Sequence, residues 1–291
     1  MEVYGGTMKS LVWFITGASR GFGIEVARAA LDRGDSVVAT ARKPEDIQKA
    51  LGKNDKLLSV ALDVTNEKQA QTAVDGALRK FGQIDVLVNN AGRGLVGAVE
   101  EASAEEVRSI FAVNVDGLLN VTRAVLPSMR ARKSGRVLNL SSVGGFRAWT
   151  GWGVYSGTKF AVEGLSEALR SELEPLGIYV TIIEPGPFRT DFLDGTSLES
   201  AKHVISDYAG TSGVTRQWAT NTNHIQGGDP VKAADAIVRI ATVPNPPERL
   251  QLGASCVAEI ETKIANVTKE LNTWRELAES TDFPEPAAKT A

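Results

Sequence analysis

Short runs rich in Val, Ile and Leu alternate along the chain with longer amphipathic stretches, the pattern of βαβ units that build a parallel sheet. Leu11–Ile15, Ser36–Thr40, Leu57–Leu62, Val86–Asn89, Arg136–Leu140, Tyr179–Glu184 and Leu250–Leu252 read as strands, and their near-continuous apolarity calls for cover on both faces. Helical spacing falls on Ile24–Asp32, Glu67–Phe81, Ala104–Met129, Trp152–Leu176, Val231–Thr242 and Val257–Leu277. Gly34, Gly82, Gly135 and Gly177 stand just after expected helices, where they would end them. From Thr190 to Gly228 the alternation fails, and so long a connection is read as a lid over a binding site. The expected architecture is one α/β domain over residues 9–280, a doubly wound seven-stranded parallel sheet in three αβα layers. An N-terminal extension at 1–8 and a flexible tail at 281–291 flank it.

Charge and cysteine content narrow the partners. With 32 basic against 35 acidic residues the net charge is −3, and no basic stripe marks a nucleic-acid or anionic-membrane surface. The longest apolar runs fall far short of the roughly 20 residues that span a bilayer. Neither a membrane helix nor a signal peptide is expected. One cysteine, Cys256, forbids an internal disulfide, and His203 and His224 add little metal potential. No metal is expected, and a reducing cytoplasm is the expected compartment.

Candidate chemistry begins where the first strand runs into Thr16-Gly17-Ala18-Ser19-Arg20-Gly21-Phe22-Gly23. Glycines there let the backbone approach a pyrophosphate whose charge meets the amides and dipole of a helix N-terminus. An ordinary tight βα turn is the plain alternative. The second strand ends in Thr40-Ala41-Arg42-Lys43, without the acid that would bond a ribose 2′-hydroxyl. Arg42, joined by Arg20, would instead grip a 2′-phosphate, which points to NADP(H). Asn90, Ala91 and Gly92 end the fourth strand at the carboxyl edge, where open α/β sheets bind ligands. Tyr155 and Lys159, four residues apart, share one helix face.

The ordered set Gly17-x-x-x-Gly21-x-Gly23, Asn-Asn-Ala-Gly, Asn114, Ser142, Tyr155 and Lys159 resembles the short-chain dehydrogenase/reductase family, over about Lys9 to Leu252. The resemblance implies a Rossmann fold with strand order 3-2-1-4-5-6-7 and makes Asn114, Ser142, Tyr155 and Lys159 the catalytic group. Ser142, 13 residues before Tyr155, matches the family's serine. It also implies cofactor contacts at Gly17, Ser19, Arg20, Gly21, Phe22, Gly23, Arg42, Asp63, Val64, Asn90, Ala91, Gly92, Tyr155, Lys159, Pro185, Gly186 and Thr190.

Ketone reduction needs a proton at oxygen, and a phenol of pKa about 10 gives it up reluctantly near neutrality. Lys159 is expected to lower the Tyr155 pKa, Ser142 to hydrogen-bond the developing alkoxide, and Asn114 to hold a proton-passing water. Leu95, Val143, Trp149, Trp152, Phe188 and Phe192 are the expected substrate pocket, apolar enough for a bulky hydrophobic carbonyl compound. The function read from this is reversible NADPH-dependent reduction of a ketone or aldehyde. A non-catalytic NADP(H)-sensing regulator is the alternative. In Trp152–Leu176 the stripe of Ala161, Val162, Leu165, Ala168 and Leu169 is either core or a subunit face, and the family's habit favours a homodimer or homotetramer.

Overall fold

Alternation within the first strand shows why the sheet is covered twice. In β1 (Val12–Ile15), Trp13 and Ile15 enter one apolar core and Phe14 enters the other. The computed structural model describes residues 10–283. The expected extension at 1–8 and residues 284–291 of the expected tail lie outside the described residues.

Six further strands, β2 (Ser36–Ala41), β3 (Leu57–Ala61), β4 (Val86–Asn89), β5 (Gly135–Leu140), β6 (Ile178–Pro185) and β7 (Arg249–Leu252), pair with β1 in one parallel sheet. Their order is β3-β2-β1-β4-β5-β6-β7, so the chain reverses its direction of travel between β1 and β4, the switch point that opens a crevice at the strand ends. On one face α1 (Gly21–Asp32), α2 (Pro44–Leu51) and α8 (Pro230–Thr242) contribute Val26, Ala30, Ile47 and Ile237. On the other, α3 (Glu67–Phe81), α5 (Gly117–Arg132) and α6 (Gly153–Leu173) contribute Ala73, Val121, Met129 and Leu173. Small alanines on α1, α3 and α8 let those helices lie close to the sheet.

Several expectations need correction. The expected helix Ala104–Met129 is α4 (Ala104–Phe111), a π turn at Ala112–Asp116, then α5, and Asn114 sits inside that turn. Ser103 starts α4 with a capping box through Glu106. Gly135 does not end the helix: Lys133 takes the left-handed position at φ 49°, and Gly135 opens β5 where a Cβ would strike Met129. Helix α2 escaped the reading because Ile47 alone of its eight residues is buried.

The absence of a membrane-length apolar helix was also overstated. Ala104–Arg132, 29 residues, contains a stretch of mean hydropathy 1.2 that is long and apolar enough to cross a bilayer. Half of that stretch is buried, and Val121, Val125 and Met129 pack in the core under the sheet.

The stretch from Thr190 to Gly228 is also built. A short strand at Leu198–Ser200 pairs in parallel with Gly94–Val96, and α7 (Ser212–Thr222) follows. Buried Glu101 secures it, accepting from Ile205 N at 2.9 Å and pairing with Arg216. The last element, α9 (Ala254–Glu279), packs on the body only at its start, through Cys256 and Ile260.

Candidate active site

One cavity of about 950 Å³ opens at the carboxyl edge of the sheet, over the β1–β4 switch point. Its floor is the glycine turn. Gly17 has φ +64°, and a Cβ there would lie 2.9 Å from Ala91 Cα, so only glycine lets these two backbones touch. Asn90 locks the contact: its Nδ2 donates to the carbonyls of Thr16 and Gly17 at 2.9 and 3.0 Å. The Thr16 hydroxyl accepts from the amides of Asn90 and Ala91, both at 3.0 Å.

At the head of α1 no side chain caps the helix and no acid stands in the first turn, so its leading amides are left for an anion. Those features fit the pyrophosphate of a dinucleotide. Ser19, Gly21, Phe22, Arg42, Asp63, Val64, Ala91, Gly92, Pro185, Gly186 and Thr190 all line the same cavity. Gly23 does not: it is a packing glycine, closed in by Asn90 Nδ2 and Gly17 O.

The two expected phosphate arginines part company. Arg20 lines the cavity, but its guanidinium donates to Thr196 Oγ1 at 2.7 Å, Thr196 O at 3.1 Å and Ser197 Oγ at 2.7 Å. It anchors the covering segment to the glycine turn. Arg42 is exposed at the cavity rim.

Three of the four expected catalytic side chains meet in the cavity. Tyr155 and Lys159 rise from α6, buried at 8% and 7% exposure, and Ser142 comes from the end of β5. Burial pushes the Tyr155 phenol up to about 12, and the Ser142 hydrogen bond pulls the other way. Burial also brings Lys159 down to about 8, against the pull of Glu163. Tyr155 is therefore raised overall here, and not lowered as expected. The ammonium nitrogen stands 5.9 Å from the phenol ring centre and donates to Leu140 O at 2.7 Å, and desolvation of the phenol dominates.

Asn114 lies behind the cavity wall, not in it. Its Oδ1 accepts from Arg93 N, and its Nδ2 donates to Arg93 O and Thr158 Oγ1, all at 2.9 Å. Both amide hydrogens are spent, so its side chain braces the strand-end turn that carries Gly92, while its carbonyl oxygen, bonded to Arg93 N, keeps a second acceptor position. A second polar group lies deeper. Glu163 and Glu184 are buried beside Arg249, and burial raises both, Glu184 to about 7.

Of the expected substrate residues, Val143, Trp149, Trp152, Phe188 and Phe192 line the cavity. Leu95 does not: it is buried with Ile110 and Tyr155, behind the phenol. Phe192 lies 5.4 Å from Tyr155 and stacks on Trp152 at 6.5 Å between ring centres. Phe188 packs edge-on against Phe22 at 5.1 Å. The reading missed Ser255, Cys256 and Glu259, wall residues from the first turns of α9, because a helix after the last strand gave no sign of bending back over the cleft. It also missed Arg93, whose backbone Asn114 holds.

Comparison with known proteins agrees with this arrangement. A sequence model of the family described as short chain dehydrogenase matches residues 11–200. The oxidoreductase BOA17 of Botryotinia fuckeliana is 38% identical over 270 residues, covering 92% of this chain and 97% of its own. The 3-ketodihydrosphingosine reductase of Bacteroides thetaiotaomicron is 38% identical over 246 residues, covering 84% and 89%. A short-chain dehydrogenase structure from Streptomyces avermitilis superposes with TM-score 0.87 at 40% identity, covering 94% of this chain and all of that one. Solved relatives at 26% identity carry either cofactor. An alcohol dehydrogenase from Thermococcus sibiricus holds 5-hydroxy-NADP (TM-score 0.67, covering 84% and 96%). A 3-ketoacyl-(acyl-carrier-protein) reductase from Brucella melitensis holds NADH (TM-score 0.71, covering 84% and 97%).

Proposed function

The chain belongs to the short-chain dehydrogenase family, and on that premise we propose that it is an NADPH-dependent carbonyl reductase, running in reverse as a secondary-alcohol dehydrogenase. The observation that carries this reading is the meeting of Ser142, Tyr155 and Lys159 in one cavity with the uncapped head of α1. When bound, the nicotinamide supplies the hydride.

The rest falls to this chain's own side chains. The neutral phenol of Tyr155 is the form that donates, so it gives its proton to the substrate oxygen as negative charge builds there. The Ser142 hydroxyl, beside that phenol, holds the same oxygen and keeps it within reach. Lys159 places a cation behind the phenol, which favours the phenolate left after transfer. Arg42, free at the rim, would meet the 2′-phosphate that distinguishes NADPH. Trp149, Trp152, Phe192 and Trp218 favour a bulky apolar ketone. We place the enzyme in the cytoplasm.

The test is cofactor oxidation with a panel of ketones, NADPH against NADH. 3-Ketodihydrosphingosine belongs in the panel because the Bacteroides relative is named for it. Turnover of an apolar ketone with NADPH is expected; binding of NADPH without turnover of any panel member would favour the regulator reading.

A further inference from the structure

Beyond Ile260, helix α9 leaves the body of the protein, and apart from half-buried Lys263 its residues are exposed from Glu261 to Glu279. That free length is about 28 Å at 1.5 Å per residue. A lone helix of this length is marginal in water, and Thr262, Thr268, Thr273, Asn266 and Asn272 are weak helix formers. Something must cover it for the helix to persist.

The apolar residues say what. Val257, Ile260, Ile264, Val267, Leu271, Trp274 and Ala278 recur at alternating intervals of three and four, the seam of a coiled coil. Ile264, Val267, Leu271 and Trp274 are 45–63% exposed, which leaves this seam bare. We propose that α9 pairs along this seam with α9 of a second copy of the same chain, the two helices running parallel.

Charge decides for a second copy and for the direction. The positions flanking the seam are Glu261, Thr268 and Arg275 on one side and Lys263, Glu270 and Leu277 on the other. In a parallel pair Glu270 of each copy faces Arg275 of the other, twice by symmetry. An antiparallel pair centred on Val267 and Leu271 sets Glu270 against itself. A lipid surface is the poorer occupant: α9 carries five carboxylates against three cations, the wrong sign for an anionic bilayer.

This pairing reaches the active site. Ser255, Cys256 and Glu259, on the first turns of the same helix, form part of the cavity wall, so fixing the outer helix fixes that wall.

Sedimentation of the full chain at micromolar concentration, with Leu271→Glu alongside, is the first test. The variant is expected to halve the assembly mass while the body stays folded, since Leu271 is 55% exposed on the free part of α9. Glu270→Arg alone is expected to weaken the assembly at least tenfold, and adding Arg275→Glu to restore it, a result that fraying of the helix would not produce. Leu271→Cys is expected to form at least tenfold more covalent dimer on mild oxidation than Asn272→Cys, which points away from the seam. An unchanged mass in Leu271→Glu, no rescue by the charge swap, or equal cross-linking would overturn the proposal. So would binding of the wild type, but not Leu271→Glu, to phosphatidylcholine vesicles with no change in mass.

Discussion

Glu163 and Glu184 share one cation, each with a carboxylate oxygen 3.2 Å from the Nε of Arg249. Glu163 meets it through Oε2 and leaves Oε1 without a hydrogen-bond partner, while Glu184 meets it through Oε1 and accepts from the Gln251 amide on Oε2 at 2.8 Å. Two buried carboxylates around one guanidinium cannot both be ionised cheaply, so one keeps a proton well above the ordinary carboxylate range.

This gives the fold a pH dependence of defined sign. Glu184 has its pKa raised to about 7 in the folded chain from an ordinary 4.5, by burial first and by Glu163 next. A raised carboxyl favours folding while it stays protonated, so its contribution is full below about 4.5 and is lost as pH rises through about 7. Melting temperature is expected to fall between pH 5 and pH 8, and Glu184→Gln to flatten most of that slope. Arg249, Gln251, Glu167 and Ser141 face the pair as well and stay in place in the variant. A wild-type melting temperature that climbs over this range would refute the assignment.

Tyr155→Phe removes the proton donor and keeps the ring that packs on Phe192. Turnover is expected to fall at least a hundredfold, as general acid catalysis contributes about 10²–10⁴. NADPH affinity, read by fluorescence titration, is expected to stay within about twofold. Retention of a tenth of the activity would remove Tyr155 from its role.

Lys159 titrates at about 8 in the folded chain, held down by burial. If its ammonium helps to hold the cofactor, NADPH binding weakens as pH rises past 8, and Lys159→Met loses both affinity and that pH dependence. Fluorescence titrations at pH 6.5 and 9.5 measure both; a wild-type affinity that is flat across the range would exclude the contact.

The arginines make a sharper pair. Because the Arg20 guanidinium is spent on Thr196 and Ser197, discrimination is expected to rest on Arg42. Arg42→Ala should weaken NADPH at least tenfold and leave NADH nearly unchanged, a charge-assisted bond being worth about 1.5–3 kcal/mol. Arg20→Ala should weaken both cofactors alike, by loosening the covering segment. Isothermal titration with each cofactor checks it, and equal losses of NADPH and NADH in Arg42→Ala would reject the reading.

Much of this was legible in residue order. Strand runs such as Val86–Asn89 are written plainly because parallel strands are buried on both faces, and helix α3 ends where Gly82 takes its left-handed turn. The hidden parts depend on long-range partners. Nothing near Asn114 announces a π turn, and nothing near Arg20 announces that its guanidinium meets residues 176 and 177 positions away. Leu95 looks like any pocket leucine until the neighbouring strand at Leu198–Ser200 pulls it behind Tyr155. Burial likewise reverses the charge argument for Tyr155, which is a property of packing and not of spacing.

Phe192 lies against the phenol ring of Tyr155, its own ring tilted to it and stacked on Trp152. On the proposed function, a ketone that packed on the same ring would compete with the protein's own side chain, and part of its gain would replace contacts that existed before it arrived. A flat, unsaturated compound restores an aromatic pairing worth about 0.5–1.5 kcal/mol; a saturated chain of equal size does not. Selectivity at this end of the cleft would then be set by exchange, the ranking of substrates reflecting what each one displaces as much as what it touches.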